Sequence, residues 1–98
     1  MSDAVGRVRG PETVTVRYWA GARAAAGTAE DTFEVDADLT LAELVRRVLE
    51  RHPDDRMART VGVCSVLVGD RPVRSQDPET VVVEPGSVVE LLPPFAGG

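Results

Sequence analysis

The sequence contains no lysine; all eleven of its cations are arginine. It can therefore accept no side-chain isopeptide bond and offers no ε-amine for Schiff-base chemistry. One cysteine, Cys64, excludes an internal disulfide, and a secreted domain of this size normally carries several, so a reducing compartment is expected. One histidine, His52, has no second soft ligand at metal-binding spacing, and no metal site is expected. A Cys64–His52 nucleophilic pair would require the two to meet across the fold, and nothing in the sequence argues that they do. Gly21 and Gly27 are not followed by the Lys and Ser/Thr of a phosphate-cradling loop. No apolar run approaches the roughly 20 residues of a membrane span. Residues 1–11 hold Arg7 and Arg9 without a following apolar stretch of signal-peptide length, so a cytoplasmic location is expected.

What is present suits one small folded domain. At 98 residues, with 43% hydrophobic and 28% charged residues of mixed sign, the chain should fold, but it is too short for a large enzyme. Sixteen acidic residues give a net charge of -5, which disfavours nucleic acid and acidic membrane surfaces as partners. The adjacent carboxylates Glu30/Asp31 and Asp54/Asp55 point apart in extended chain and read as solvated surface.

Residues 1–11 form a lead-in, and the domain spans 12–92. Between Glu12 and Trp19 the side chains alternate, Val14, Val16 and Tyr18 on one face and Thr13, Thr15, Arg17 and Trp19 on the other, which predicts a half-buried strand. The segment AGARAAAG, Ala20 to Gly27, reads as a small-residue turn, and Ala29 to Val35 as a second strand with Phe33 and Val35 on one face. A helix follows, opened by the Thr40/Glu43 capping box, carrying Leu41, Leu44, Val45, Val48 and Leu49 at helical spacing, with Glu43 and Arg47 paired outside. Pro53 ends it. Asp54 to Thr60 reads as a charged linker. Val61 to Val68 is a strand candidate holding Cys64, taken as core packing rather than a reactive thiol. Pro72–Val73 suggests a brief return strand, Thr80 to Val83 another short element, and Val88 to Leu92 the last strand, with Val89 and Leu91 on one face. The order predicts an α+β domain, a mixed sheet of four to five strands with one helix over one face. The other face would carry Arg17, Trp19 and Leu92, either as a partner surface or as scattered surface apolars.

The chain finishes LLPPFAGG. A terminal Gly-Gly arises by chance about once in 200 chains, given a glycine frequency of about 7%. Here it follows a strand stopped by Pro93 and Pro94, so that residues 93–98 project as a tail with a reach of roughly 20 Å. The α-carboxylate of Gly98 is ionised at neutral pH and a poor electrophile. ATP can activate it as an acyl adenylate, from which a sulfur nucleophile displaces AMP. Glycine at the last two positions removes both Cβ atoms from the path of attack. The pattern fits a carrier whose reactive group is its own terminus.

Residues Thr13 to Gly98 resemble the ubiquitin-like sulfur carriers of the MoaD/ThiS type, and among these the small subunits of molybdopterin synthases. LLPPFAGG looks like their apolar-Pro-Pro-x-x-Gly-Gly ending, preceded by PGSVVEL, and YWAGARAAAG is similar to the family's aromatic pair followed by Ala, an Arg and a closing Gly. The resemblance implies a β-grasp fold. It also implies that an E1-like, ATP-dependent adenylyltransferase activates Gly98, that a sulfurtransferase supplies sulfur, and that the resulting thiocarboxylate donates it to a cyclic pyranopterin precursor in the synthase large subunit. That subunit, not this chain, would supply the catalytic site, and ATP would be used by the activating enzyme rather than bound stably here. Gly97, Ala96, Phe95, Pro94 and Pro93 match the stretch that guides the tail into its partner, and Arg23 matches an Arg of the first loop, an interface candidate beside Trp19, Arg17 and Leu92. The alternatives are a carrier serving thiamine, cysteine or another sulfur-containing metabolite, a protein modifier conjugated through Gly98, and an interaction module with an inert terminus.

Overall fold

The computed structural model describes residues 12–94. The lead-in 1–11 and the tail residues Phe95, Ala96, Gly97 and Gly98 lie outside the described residues. In chain order the elements are β1 (Glu12–Tyr18), α1 (Ala20–Ala26), β2 (Glu30–Val35), β3 (Leu39–Thr40), α2 (Leu41–Arg51), α3 (Asp55–Gly62), β4 (Ser65–Val68), β5 (Arg71–Pro72), a 3-10 turn (Pro78–Thr80), β6 (Val82–Val83) and β7 (Val88–Leu92). Five strands form one sheet in the order β2-β1-β7-β4-β5, and β3 pairs with β6 separately. The first and last strands lie side by side and parallel, Val16 beside Val89, while the other pairs in the sheet are antiparallel. This is the β-grasp arrangement, an α+β fold as the element order predicts.

The period-two pattern decides which side is inside. Val14, Val16 and Tyr18 of β1, Phe33 and Val35 of β2, and Val89 and Leu91 of β7 are all buried on one sheet face. Ala22 of α1, Leu39 of β3, Leu41, Leu44 and Val48 of α2, Met57 and Val61 of α3, and Val73 and Val83 complete the core. Full burial of a Val or Leu side chain stabilises by about 1.5–3 kcal/mol, so this cluster supplies the main driving force. Helix α2 starts where its cap places it, with the Glu43 N–H donating to Thr40 Oγ1 at 3.1 Å, and stops at His52 before Pro53. Arg47 does not pair with Glu43; its Nη1 donates to the Glu34 carbonyl of β2 at 2.9 Å, tying helix to sheet.

Further expectations need correction, three of them in the fold. Ala20 to Gly27 is not a turn but helix α1, closed by Gly27 at φ 77°, whose N–H donates to the Arg23 carbonyl. Alanine is the strongest helix former, but only Ala22 is fully buried, so no helical stripe is legible in seven residues. The charged linker is helix α3, capped by Asp54, whose side chain accepts from the Arg56 N–H at 2.8 Å. Its buried face is just Met57 and Val61, four apart, in a helix that also carries Asp55, Arg56 and Arg59. The helix takes Val61 and Gly62 from the expected strand, which begins only at Ser65, and the single expected helix becomes three.

Asp31 is the third correction. It shares parity with Phe33 and Val35, so it points toward the core side while Glu30 points out. Tyr18 Oη donates to Asp31 Oδ2 at 2.8 Å, His52 Nε2 lies 2.5 Å from the same oxygen, and Arg51 Nη1 lies 3.5 Å from Oδ1. The Tyr18 and His52 rings meet edge to face, and the Arg51 guanidinium sits 4.1 Å from the Phe33 ring centroid. Burial alone would raise the Asp31 carboxyl, but the hydrogen bonds from His52 and Tyr18, with the charges of His52 and Arg51, hold it below its ordinary 3.8. Burial, then the Asp31 contact, push the Tyr18 hydroxyl up. These groups pin the start of β2 and the end of β1 to the C-terminus of α2.

The ionised Asp31 therefore adds stability above about pH 4 that is lost as pH falls through its lowered pKa. Asp31→Asn should cost about 1–3 kcal/mol at pH 7 in chemical denaturation, because hydrogen bonds to a charged acceptor are replaced. It should also flatten the acid limb of the stability curve below pH 4 relative to the parent chain.

Candidate functional site

Strand β7 lies between β1 and β4, held on both edges, and ends at Leu92 opposite Ser65. Pro93 and Pro94 follow without backbone N–H groups, so the ladder stops there. Pro93 is half-buried and Pro94 exposed, and the two form the divide between a pair of open grooves. One groove lies toward the helices and is lined by Ala20, Gly21, Arg59, Thr60 and Val63. The other lies along the sheet edge, lined by Cys64, Ser65, Leu67, Pro72, Arg74 and Leu92. The root of the tail is thus fixed by a strand paired along both edges, between two part-apolar troughs.

The uncovered sheet face bears the predicted residues. Register places Glu30, Arg17, Glu90, Leu67 and Pro72 in one row across β2, β1, β7, β4 and β5. Trp19, just past β1, lies over this row: its Nε1 donates to Glu90 Oε1 at 2.9 Å, and the Arg17 guanidinium sits 5.1 Å from its ring centroid. Arg17 also approaches Glu30 at 3.9 Å. Trp19 remains 40% exposed although its polar edge is satisfied, which makes it a large, pre-positioned apolar surface. Leu92 stands half-buried at the tail end of the same face. Arg23 is not part of this group; it projects from α1 into a separate hollow with Ala24, Gly27 and Thr28.

Cys64 lies between α3 and β4 rather than inside a strand. Its Sγ donates to the Thr60 carbonyl at 3.2 Å, it packs against the core, and burial pushes the thiol up to about 11. His52 is engaged with Asp31, so no Cys–His pair forms. Among the described residues, no group of three or more His, Cys, Asp or Glu side chains could hold a metal ion, and no helix is long and apolar enough to cross a membrane. Sequence reasoning passed over Glu90 as a partner of Trp19, and over Arg59, Val63 and Arg74 beside the tail root. Parity placed Glu90 and Arg17 on one face, so that pairing was within reach; Arg59 and Val63 were hidden by reading α3 as a linker.

The model of the ThiS family matches residues 16–98, from the middle of β1 through Gly98. The chain belongs to the ThiS family. Within reach of this ThiS-family chain is the molybdopterin synthase sulfur carrier subunit of Chlamydomonas reinhardtii, 31% identical over 86 residues that make up 87% of this chain and 98% of the relative. The fold is shared with subunit 1 in the complex of subunits 1 and 2 of the molybdopterin-converting factor from Helicobacter pylori 26695, at 24% identity and TM-score 0.60, covering 88% of this chain and 99% of that one. SAMP1 from Haloferax volcanii shares it as well, at 20% identity and TM-score 0.72, with the same coverage of each chain.

Two outcomes follow for this ThiS-family chain. Trp19 is the sole tryptophan, so Glu90→Ala should red-shift its emission and raise its accessibility to quencher while changing stability by no more than about 1 kcal/mol. Alkylation of Cys64 should be slow at pH 7 and rise with a midpoint near 11 rather than at the ordinary thiol value, as followed by mass spectrometry.

Proposed function

We propose that this chain is the sulfur carrier subunit of a molybdopterin synthase, acting in the cytoplasm in molybdenum cofactor biosynthesis. The family match that runs unbroken from β1 to Gly98, together with the relative of that name at 31% identity, carries the reading. The chemistry of the ending agrees with it. An E1-like adenylyltransferase joins the Gly98 carboxylate to the α-phosphate of ATP, releasing pyrophosphate. A sulfurtransferase persulfide attacks the acyl carbon and breaks its bond to AMP, and a thiol reductant then cleaves the resulting acyl disulfide, leaving a thiocarboxylate. The tail then enters the large subunit of the synthase, where its sulfur bonds to a cyclic pyranopterin precursor and water cleaves the acyl–sulfur bond, returning Gly98 as a carboxylate.

The described residues contribute presentation rather than catalysis. β7 anchors the tail root, Pro93 and Pro94 limit the directions in which the chain can leave the sheet, and the Trp19 face offers a rigid apolar platform beside them. The Helicobacter pylori complex of subunits 1 and 2 supports a partner of the large-subunit kind.

Protein isolated with its native partners should contain a fraction heavier by the difference between sulfur and oxygen, located by tandem mass spectrometry at Gly98. Removing Gly98, or adding one residue after it, should abolish molybdopterin formation without altering the melting temperature. An extended chain that still supports the reaction would sink the proposal. Conjugates joined through Gly98 to other proteins would favour the modifier reading instead, and transfer to a thiamine or cysteine precursor the other carriers.

A further inference from the structure

The arginines of α2 are all engaged: Arg46 with Glu79 at 3.5 Å, Arg47 with the Glu34 carbonyl, and Arg51 with Asp31 and the Thr32 carbonyl. Arg59 and Arg74 are not. Both are exposed, and neither side chain makes a hydrogen bond or ion pair with any described residue; Arg23, Arg56 and Arg71 are equally free, but only Arg59 and Arg74 line grooves beside Pro93 and Pro94. In a chain of net charge -5 these two free cations stand on opposite sides of Pro93–Pro94, one in each groove. The apolar groups between them, Val63 at 62% exposure, Leu92 and the prolines, form a strip that water covers poorly.

Backbone geometry marks the same two places. Ala20 at φ 47° and Arg74 at φ 57° are the only non-glycine residues with positive φ among the described residues, and each lines one of the two grooves. This left-handed region is unfavourable for any residue bearing a Cβ and free to glycine. Such outliers persist where the surrounding structure over-determines them, and they cluster at working surfaces.

We propose that Arg59 and Arg74 form a two-sided clamp for carboxylates on the protein that receives the tail, a surface with an apolar centre and an acidic rim. The inference rests on the sulfur-carrier reading and names the chemistry of its partner's face. Guanidinium groups pair bidentately with carboxylates, and the apolar strip between the clamp arms calls for a partner that excludes water, which a free nucleotide or a nucleic acid would not do. Charges at the rim of such a contact act mainly by steering the encounter and fixing its register, so their effect falls with added salt. The clamp seats the tail root in register before the glycines enter the partner's channel.

The test uses the full chain and the purified large subunit of molybdopterin synthase from the same organism, titrated at about 0.05 M and about 0.5 M salt, where screening differs several-fold. The double variant Arg59→Glu/Arg74→Glu should bind about tenfold or more weakly at low salt and approach the parent at high salt. Arg56→Glu, on the same helix but outside both grooves, carries the same charge change as the Arg59 arm and should bind like the parent. Arg74→Gly separates binding from folding: it relieves the positive φ, so it should melt no lower than the parent yet bind more weakly at low salt. Equal losses for Arg56→Glu and Arg59→Glu, a loss indifferent to salt, or an Arg74→Gly chain that melts lower and binds as tightly would each overturn the clamp. The thiocarboxylated parent, mixed with the large subunit and the pyranopterin precursor, distinguishes the two levels. If the parent transfers sulfur and the double variant binds equally well, only the clamp falls; if the parent transfers none, the carrier reading falls and the clamp with it.

Discussion

The parallel pairing of β1 with β7 is the constraint on which the rest depends. It joins the first strand to the last, so that Thr15 to Tyr18 lie against Val88 to Leu91 and the chain between them must cross from one edge of the pair to the other. A parallel pair cannot be closed by a tight turn, and the intervening helices and short strands are the crossover that it demands. Because β7 is also paired with β4, it is held along both edges, up to Leu92 opposite Ser65. Closing the sheet on its last strand therefore fixes where the chain leaves it, at Pro93.

Polar groups were placed where the apolar core could not finish the fold. The core closes β1, β2 and β7 against α2 and α3, but the corner where β1 ends and α2 stops is closed by Tyr18, Asp31, His52 and Arg51. A half-buried carboxylate needs every acceptor satisfied, and here a phenol, an imidazole and a guanidinium do so together. The only histidine thereby has a structural role, tied to Asp31 and packed edge to face on Tyr18.

The surface arginines fall into tied and untied sets. Around α2 the arginines are tied to carboxylates and carbonyls, whereas near the tail root the apolar groups stay open and Arg59 and Arg74 stay free. On the uncovered sheet face, Trp19 is held by Glu90 and Arg17, so the entropy of ordering a large side chain has already been spent before any partner arrives. Pre-ordering of this kind lowers the cost of docking any partner on that face.

Much of this was legible in the chain itself. The alternation in Glu12 to Trp19 and in Val88 to Leu92 gave the buried faces of both central strands, because a period of two is imposed by backbone geometry whatever the partner. The Thr40 cap and Pro53 bounded α2 for equally local reasons. Helices α1 and α3 were missed because each buries only one or two residues, too few to write a period into the sequence, and what holds them is the neighbours they pack on. Asp31 was misjudged because adjacent carboxylates suggest solvent, although its parity with Phe33 already pointed inward. The sequence by itself determined the strand faces, the main helix and an ending rich in proline and glycine, since these follow from covalent geometry and local spacing. Only the tertiary structure decided that Asp31 would meet His52, and that Arg59 and Arg74 would flank the same two prolines, because such meetings depend on crossovers between residues far apart in the chain.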